Sequence, residues 1–99
     1  AVDQEGGRVC RFKASENFPT TVSAKHLGRI ADIQETRRQA QRMAETLAEH
    51  GINLNLAPVV DLDLNPDNPI ISRYERSFGD DVHQIVIHAA AFIEAHHGH

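Results

Sequence analysis

The sequence predicts an α/β fold of the parallel type, in which two strands alternate with two helices. Residues 2–5 resemble the end of a strand, and residues 52–60 carry the clearest strand pattern in the chain. Each is followed by a stretch with apolar residues at helical spacing, over residues 32–50 and from residue 81 onward. We therefore expect the order strand, helix, strand, helix.

The first long helix has sequence signals at both ends. Asp32 with Glu35 three residues later is a capping-box pattern, and Gly51 directly after His50 is a typical C-terminal stop. A short helical turn over residues 23–29 precedes it, although Gly28 weakens that turn. The expected apolar side of the long helix comprises Ile33, Ala40, Met43, Ala44 and Leu47.

The second strand and the second helix flank a loop rich in turn residues. The alternation of the strand fails at Pro58, which has no N–H for strand pairing and favours the strand's end. Residues 61–69 form the loop, and Asp81 with Gln84 is expected to cap the helix that follows. The expected buried side of that helix comprises Val82, Ile85, Val86, Ala89, Phe92 and Ile93.

Composition limits the classes of function. The chain has 99 residues, 40% of them hydrophobic, and a net charge of −4, which argues against a nucleic-acid partner. No apolar run approaches the ~20 residues of a membrane span. The lone Cys10 cannot form an internal disulfide and is expected to be a packed or idle thiol. Arginines at 37, 38 and 42 alternate with glutamates, as on a solvated helix face.

The two ends of the sequence suggest a piece of a larger fold. No initiator Met or leader precedes residues 1–2, and the histidine-rich end at residues 96–99 stops just past a helical pattern. We expect that the chain covers part of a parent protein and cannot perform the parent's function alone.

Polar side chains collect directly after the two predicted strands. In parallel α/β folds these strand ends form the ligand-binding face. Such residues equally serve as helix caps and turn formers, so the pattern alone leaves both readings open. The first group is Asp3, Glu5 and Arg8, and the second is Asp61, Asp63, Glu75 and Arg76.

Two metal patterns are incomplete. Asp61, Asp63 and Asn65 resemble the start of a calcium loop, but Pro66 and Ser72 stand where a Gly and a bidentate Glu are needed. At the chain end no carboxylate or Cys completes a metal shell around the imidazoles, so we expect no metal. Those histidines are His96, His97 and His99, and helix-surface positions are expected for His26, His83 and His88.

Paired carboxylates are a stronger indication of function than these metal patterns. Hydrolysis of a glycosidic bond needs two, and further carboxylates in such sites accept hydrogen bonds from sugar hydroxyls. Arginine complements them with a rigid set of donors. Asp3 and Arg76 are candidates for such a pair. The sequence has no nucleophilic Ser or Cys motif, no P-loop and no dinucleotide-binding fingerprint.

Three ordered motifs resemble glycoside hydrolase family 3, especially its β-N-acetylhexosaminidase branch. They are DQEGGRV at residues 3–9, GINLNLAPVVDL at residues 51–62 and ERSFG at residues 75–79. The resemblance extends from residue 1 to about residue 97. It implies that residues 1–99 are a fragment of the N-terminal catalytic barrel domain, with about two βα units of a partial (β/α)8 barrel.

The resemblance also implies roles for single residues. Asp3 would accept hydrogen bonds from hydroxyls of the non-reducing-end sugar, and Arg76 would donate to the same sugar. Asp61 would shape the floor of the site, and Gly6 and Gly7 would let the loop turn away from the pocket. Glu75 departs mildly from the Asp that many relatives have before the Arg.

The catalytic residues of this family branch lie in segments that do not occur among these 99 residues. We therefore expect no catalytic residue, metal or cofactor in this chain. The implied parent activity is retaining hydrolysis of terminal β-linked N-acetylglucosamine, as in peptidoglycan turnover. A β-glucosidase-type enzyme and a non-catalytic sugar-binding module remain alternatives.

Three further expectations concern the surroundings of the chain. Open strand edges and uncovered helix faces favour self-association of the piece. We expect its partner to be a carbohydrate substrate. For the parent we expect a cytoplasmic location, with the periplasm or secretion left open.

Overall fold

The computed structural model describes residues 2–13, 15, 18 and 20–97. Within these ranges it contains three helices, α1 (Ala24–Ile30), α2 (Ile33–Glu49) and α3 (Val82–His97). The predicted helices are therefore confirmed, with boundaries within one or two residues of those expected. None of them has the length and apolar character that crossing a membrane requires.

The ends of α1 and α2 follow from local hydrogen bonding. The Ser23 hydroxyl accepts the backbone N–H of His26 at 3.2 Å, and the Asp32 carboxylate accepts that of Gln34 at 2.9 Å. The reciprocal half of the predicted capping box is wrong, because the Glu35 carboxylate accepts from Gln39 and Arg38 within the helix instead.

The C-terminal stop of α2 is the one predicted. Gly51 has a φ of +72°, and its N–H donates to Ala48 at 3.1 Å. The N–H of Ile52 donates to Leu47 at 2.9 Å, which completes a Schellman motif. The chain thereby leaves α2 directly into the extended segment that follows.

The two predicted strands, residues 2–5 and 52–60, are extended segments joined by a single parallel bridge. Val2 donates to Leu54 at 3.0 Å and accepts from Leu56 at 2.7 Å, so that Val2 pairs with Asn55. Beyond this bridge the Asn55 side chain replaces backbone pairing. It accepts the backbone N–H of Gln4 at 2.9 Å and donates to the Gln4 carbonyl at 3.0 Å.

The prediction of two regular strands is therefore wrong for the described part of the chain. The two segments share a single bridge, Asn55 replaces the next rung of the ladder, and Pro58 lacks an N–H. The regular secondary structure of the described residues is helical, and the predicted partial barrel is not confirmed by them.

The core lies between α1, α2, α3 and the segment around Phe78. Its buried members are Ala24, Leu27, Ala40, Met43, Phe78, Ile85, Phe92 and Ala95.

The buried face of α3 differs from the prediction. Ile85, Ala89 and Phe92 are buried as expected, but Val82, Val86 and Ile93 are exposed. His88, expected at the surface, is fully buried. Because α3 is apolar around most of its circumference, its periodicity does not indicate which face packs against α2.

Several large apolar side chains outside this core are exposed. Leu54, Leu56 and Val60 belong to the second extended segment, whereas Val82, Val86 and Ile93 belong to α3. These are the surfaces on which the expected self-association would act, and that expectation stays a prediction.

Candidate functional site

An arginine–carboxylate pair lies where the two extended segments end. Arg76 donates from Nε to one Glu5 carboxylate oxygen at 3.1 Å and from Nη2 to the other at 3.0 Å. The Glu5 side chain is 6% exposed and that of Arg76 is 25% exposed. A bidentate pair with so little solvent access fixes the plane of the guanidinium.

Asp3 lies beside this pair in a looser arrangement. Its carboxylate is 3.7 Å from the Arg11 guanidinium, and the two side chains are 43% and 69% exposed. Arg76 thus makes its direct ion pair with Glu5 rather than with Asp3. An exposed contact of this length contributes little stability, so the Asp3 carboxylate is available to a ligand.

Three carboxylates act on the charge of Arg76. The pKa of Arg76 is raised, first by the hydrogen bonds from its guanidinium to Glu5, while burial acts in the opposite direction. The charges of Glu5, Asp3 and Asp61 raise it further. One guanidinium is therefore placed among three carboxylates, and it carries a permanent positive charge.

Asp61 lies at the end of the second extended segment and is exposed. Its backbone carbonyl accepts the Ser77 hydroxyl at 2.6 Å. Ser77 is buried and also bonds to both backbone groups of Gly79, at 3.0 and 3.2 Å. Ser77 therefore joins the segment that carries Asp61 to the segment that carries Arg76.

Helix α1 holds the Arg76 segment from the other side. The N–H of Lys25 donates to the Glu75 carbonyl at 3.2 Å, and Glu75 has a left-handed φ of 55°. At Gly28 an added Cβ would lie 1.7 Å from the Phe78 carbonyl oxygen. Gly28, which on sequence grounds only weakens α1, is thus where the helix and this segment meet.

The loop after Glu5 is organised by Gln4, which is buried. Its side-chain oxygen accepts the N–H groups of Arg11 at 2.8 Å and Phe12 at 3.1 Å, and its amide donates to Cys10 Sγ at 3.1 Å. Gly6 and Gly7 have φ values of +99° and +60°, so the predicted turn at the glycines is confirmed. Cys10 is buried, as expected of a packed thiol.

A cleft of about 320 Å³ borders the Arg76–Glu5 pair. Its polar lining is cationic apart from Tyr74, and its size lies at the lower end of the ~300–1,000 Å³ typical of small-molecule sites. A second cleft, of about 250 Å³, lies between α2, α3 and residues 52–57, away from the charged cluster. The first cleft is lined by Arg8, Val9, Cys10, Arg11, Lys13, Ile70, Tyr74 and Arg76.

The metal patterns do not come together. In the described ranges no three His, Cys, Asp or Glu side chains are placed to hold a metal ion. His96 is engaged with the Phe92 carbonyl at 2.9 Å and with Asn55 at 3.0 Å, and His99 lies outside the described residues.

Sequence reasoning proposed Asp3, Asp61 and Arg76 as site residues but missed the partner of Arg76. Glu5 appeared only as one of several polar residues after the first predicted strand. The available signal was the proximity of Glu5 to Asp3 in one motif, but a sequence does not say which carboxylate faces the arginine.

The comparison with known families decides the affiliation of the chain. Residues 1–99 match the family described as "Glycosyl hydrolase family 3 N terminal domain". The chain belongs to glycosyl hydrolase family 3. The resemblance drawn from the three motifs is thereby confirmed.

Similar proteins in this family carry hexosaminidase names. The chain is 34% identical over 94 residues to Beta-hexosaminidase LpqI of Mycobacterium tuberculosis, covering 95% of this chain and 24% of the relative. It is 36% identical over 103 residues to Beta-hexosaminidase of Xanthomonas oryzae pv. oryzae, covering 98% and 29%. The chain thus spans about a quarter of the length of these relatives.

Solved family 3 structures have the same fold over the matched region. A glycosyl hydrolase of the GH3 family from Mycobacterium smegmatis superposes with a TM-score of 0.82 at 31% identity, over 98% of this chain and 29% of that structure. Beta-N-acetylhexosaminidase from Beutenbergia cavernae gives 0.81 at 36% identity, over 96% and 29%.

Proposed function

We propose that this chain supplies part of the sugar-binding site of a family 3 β-N-acetylhexosaminidase and forms about two βα units of its (β/α)8 barrel. One observation carries the proposal. Arg76 is locked by Glu5 and flanked by Asp3 and Asp61, at the ends of two parallel extended segments. The hexosaminidase names of several relatives support the choice of substrate.

Each residue of the cluster has a chemical task in this proposal. The exposed carboxylate of Asp3 accepts hydrogen bonds from hydroxyls of the terminal sugar, since its contact with Arg11 is weak. Arg76 donates to the same sugar. Asp61 shapes the floor of the site through the segment that Ser77 holds in place.

The reacting groups come from other residues of the protein. Retaining hydrolysis needs a nucleophilic carboxylate and a general acid about 5–5.5 Å apart. We do not assign Glu5 as the nucleophile, because its side chain is buried and both of its oxygens accept from Arg76. The substrate we propose is a terminal β-linked N-acetylglucosamine of a glycan, including those of peptidoglycan turnover.

Substitution of Asp3 tests the proposal. In the complete gene product we expect Asp3→Asn to lower kcat/KM for a nitrophenyl β-N-acetylglucosaminide by about 10–100-fold, because hydrogen bonds to a charged group contribute about 1.5–3 kcal/mol. Asp67→Asn, an exposed acid in the 61–69 loop, is the matched control and should have no effect. Steady-state kinetics on both variants and on the unsubstituted protein measure the change in kcat/KM.

Two results would contradict the proposal. Undiminished kcat/KM in Asp3→Asn would remove Asp3 from the site. Faster turnover of the corresponding β-glucoside than of the N-acetylglucosaminide would identify a β-glucosidase-type enzyme instead.

The 99-residue chain by itself is expected to release no nitrophenol from the same substrate. Binding groups without a nucleophile provide no covalent route to the glycosyl intermediate. The assay uses the purified chain at high concentration, with the complete gene product as positive control. Hydrolysis by the purified chain would refute this, and calorimetric binding of N-acetylglucosamine without hydrolysis would indicate the sugar-binding module.

A further inference from the structure

We infer that Glu5 is the positioning residue of Arg76: it contacts no substrate and sets the direction of the donors that Arg76 presents to the sugar. This inference rests on the proposed function of Arg76. It assigns different tasks to two carboxylates of the same motif, Asp3 and Glu5.

The Glu5 carboxylate is paired with Arg76 and buried. Both of its oxygens accept from Arg76, at 3.1 and 3.0 Å, and the side chain is 6% exposed. A sugar hydroxyl therefore has little access to this carboxylate, because the side chain is buried against Arg76. Asp3 is 43% exposed and makes only a 3.7 Å contact with Arg11.

Arg76 keeps several N–H donors that Glu5 does not use. A guanidinium carries five N–H groups in one plane. The pair with Glu5 uses the Nε–H and one Nη2–H, which leaves three N–H groups, two on Nη1 and one on Nη2. Because the pair is bidentate, rotation about the terminal bonds of Arg76 would break it, and the remaining donors keep a fixed direction.

Backbone contacts hold Glu5 itself in place. Its backbone N–H and that of Gly6 both donate to the Val9 carbonyl, at 3.0 and 3.1 Å, which closes the turn behind Glu5. A Cβ at Gly6 would lie 2.2 Å from the Val22 carbonyl oxygen, so the backbone there is packed against the segment before α1. A fixed carboxylate transmits its position to the guanidinium.

The test is a double-mutant cycle in the complete gene product, with kcat/KM for the nitrophenyl β-N-acetylglucosaminide as readout. Glu5→Gln keeps the shape of the side chain and one acceptor oxygen, but removes the charge and the second acceptor. We expect it to lower kcat/KM at least tenfold. In an Arg76→Ala background we expect the same substitution to have no further effect.

A signal independent of activity accompanies the cycle. The side-chain Nε–H resonance of Arg76, followed by ¹⁵N-edited NMR on the complete gene product, should move in Glu5→Gln and stay in place in the exposed control Asp67→Asn. A residue that only stabilises the fold would shift many backbone signals and would add its effect in both backgrounds.

The outcomes separate the inference from the proposed function. The positioning role is overturned if Glu5→Gln retains wild-type kcat/KM, or if Glu5→Gln and Arg76→Ala act additively. The proposed function is still tested separately by Asp3→Asn. If Arg76→Ala retains full activity, the sugar contact of Arg76 and the positioning role fall together. An unmoved Nε–H signal in Glu5→Gln overturns the pairing on which the inference depends.

Discussion

The Gly28→Ala variant is expected to be strongly destabilised, although the substitution is the one that favours an isolated helix. An added Cβ would lie 1.7 Å from the Phe78 carbonyl oxygen and 2.6 Å from its carbon, both of which are backbone atoms. Neither can rotate out of the way, so α1 or the segment at Phe78 must shift. Overpacking typically costs 1–3 kcal/mol, and we expect about 3 kcal/mol or more here.

The matched control is Gly51→Ala, since a Cβ there meets nothing within 4 Å. Gly51 has a φ of +72°, so the control measures the conformational cost alone, about 1–2 kcal/mol. Urea unfolding of both variants and of the unsubstituted chain gives the comparison. A Gly28→Ala variant as stable as the unsubstituted chain would disprove the close approach, because helix propensity alone favours Ala by about 1 kcal/mol.

The position of Gly28 also links the fold to the site. The segment pressed against it contains Phe78, two residues after Arg76, and the same segment is tied to Asp61 through Ser77. A shift of α1 against this segment would move Arg76 relative to Glu5. We therefore expect the substitution to disturb the ion pair as well as the free energy of unfolding.

The helices could be predicted because their signals are local. Ser23 and Asp32 cap the helices that follow them, and Gly51 ends α2 in the left-handed conformation that glycine favours. The two strands could not be predicted to the same degree, because a strand depends on neighbours that a local pattern does not contain. Asn55 shows this, since its side chain replaces a rung of backbone pairing.

The residue types of the candidate site were chosen from the sequence, but the ion pair between Arg76 and Glu5 could not be. Asp3 and Arg76 stand out because charged residues follow the predicted strands. Glu5 carries the same chemistry two residues after Asp3, and only the fold shows that Glu5 is the partner buried against Arg76. The close approach at Gly28 likewise depends on Phe78, which lies 50 positions further along the chain, so the sequence of α1 alone does not predict it.

Burial of His88 predicts a pH dependence of stability. The ring is 0% exposed, contacts the Thr36 hydroxyl through Nδ1 at 2.6 Å and stacks on Phe78 with centroids 5.3 Å apart. Nε2 has no hydrogen-bond partner among the described residues. Protonation would place a charged N–H in that position, and burial accordingly lowers the pKa of His88 from its ordinary 6.5.

The sign of the effect follows from proton binding. Because the folded pKa lies below 6.5, the unfolded chain binds more protons at pH values between the two. The stabilisation is fully present above pH 6.5, falls as the pH is lowered, and is lost once the folded pKa is passed. The slope approaches about 1.4 kcal/mol per pH unit. The pKa of the Glu35 carboxyl is lowered from 4.5 by hydrogen bonds from Gln39 and Arg38, so Glu35 titrates below the pH values at which the unfolding is measured.

Urea unfolding between pH 8 and pH 5 measures this dependence. His88→Gln has no titrating group at this position, so we expect lower stability at pH 8 and a nearly flat profile down to pH 5. His83→Gln, an exposed histidine on the same helix, should keep the slope of the unsubstituted chain. If His88→Gln keeps that slope as well, the acid sensitivity arises elsewhere. Loss of the slope in His88→Gln alone would show that the contact between α2, α3 and Phe78 depends on a neutral imidazole.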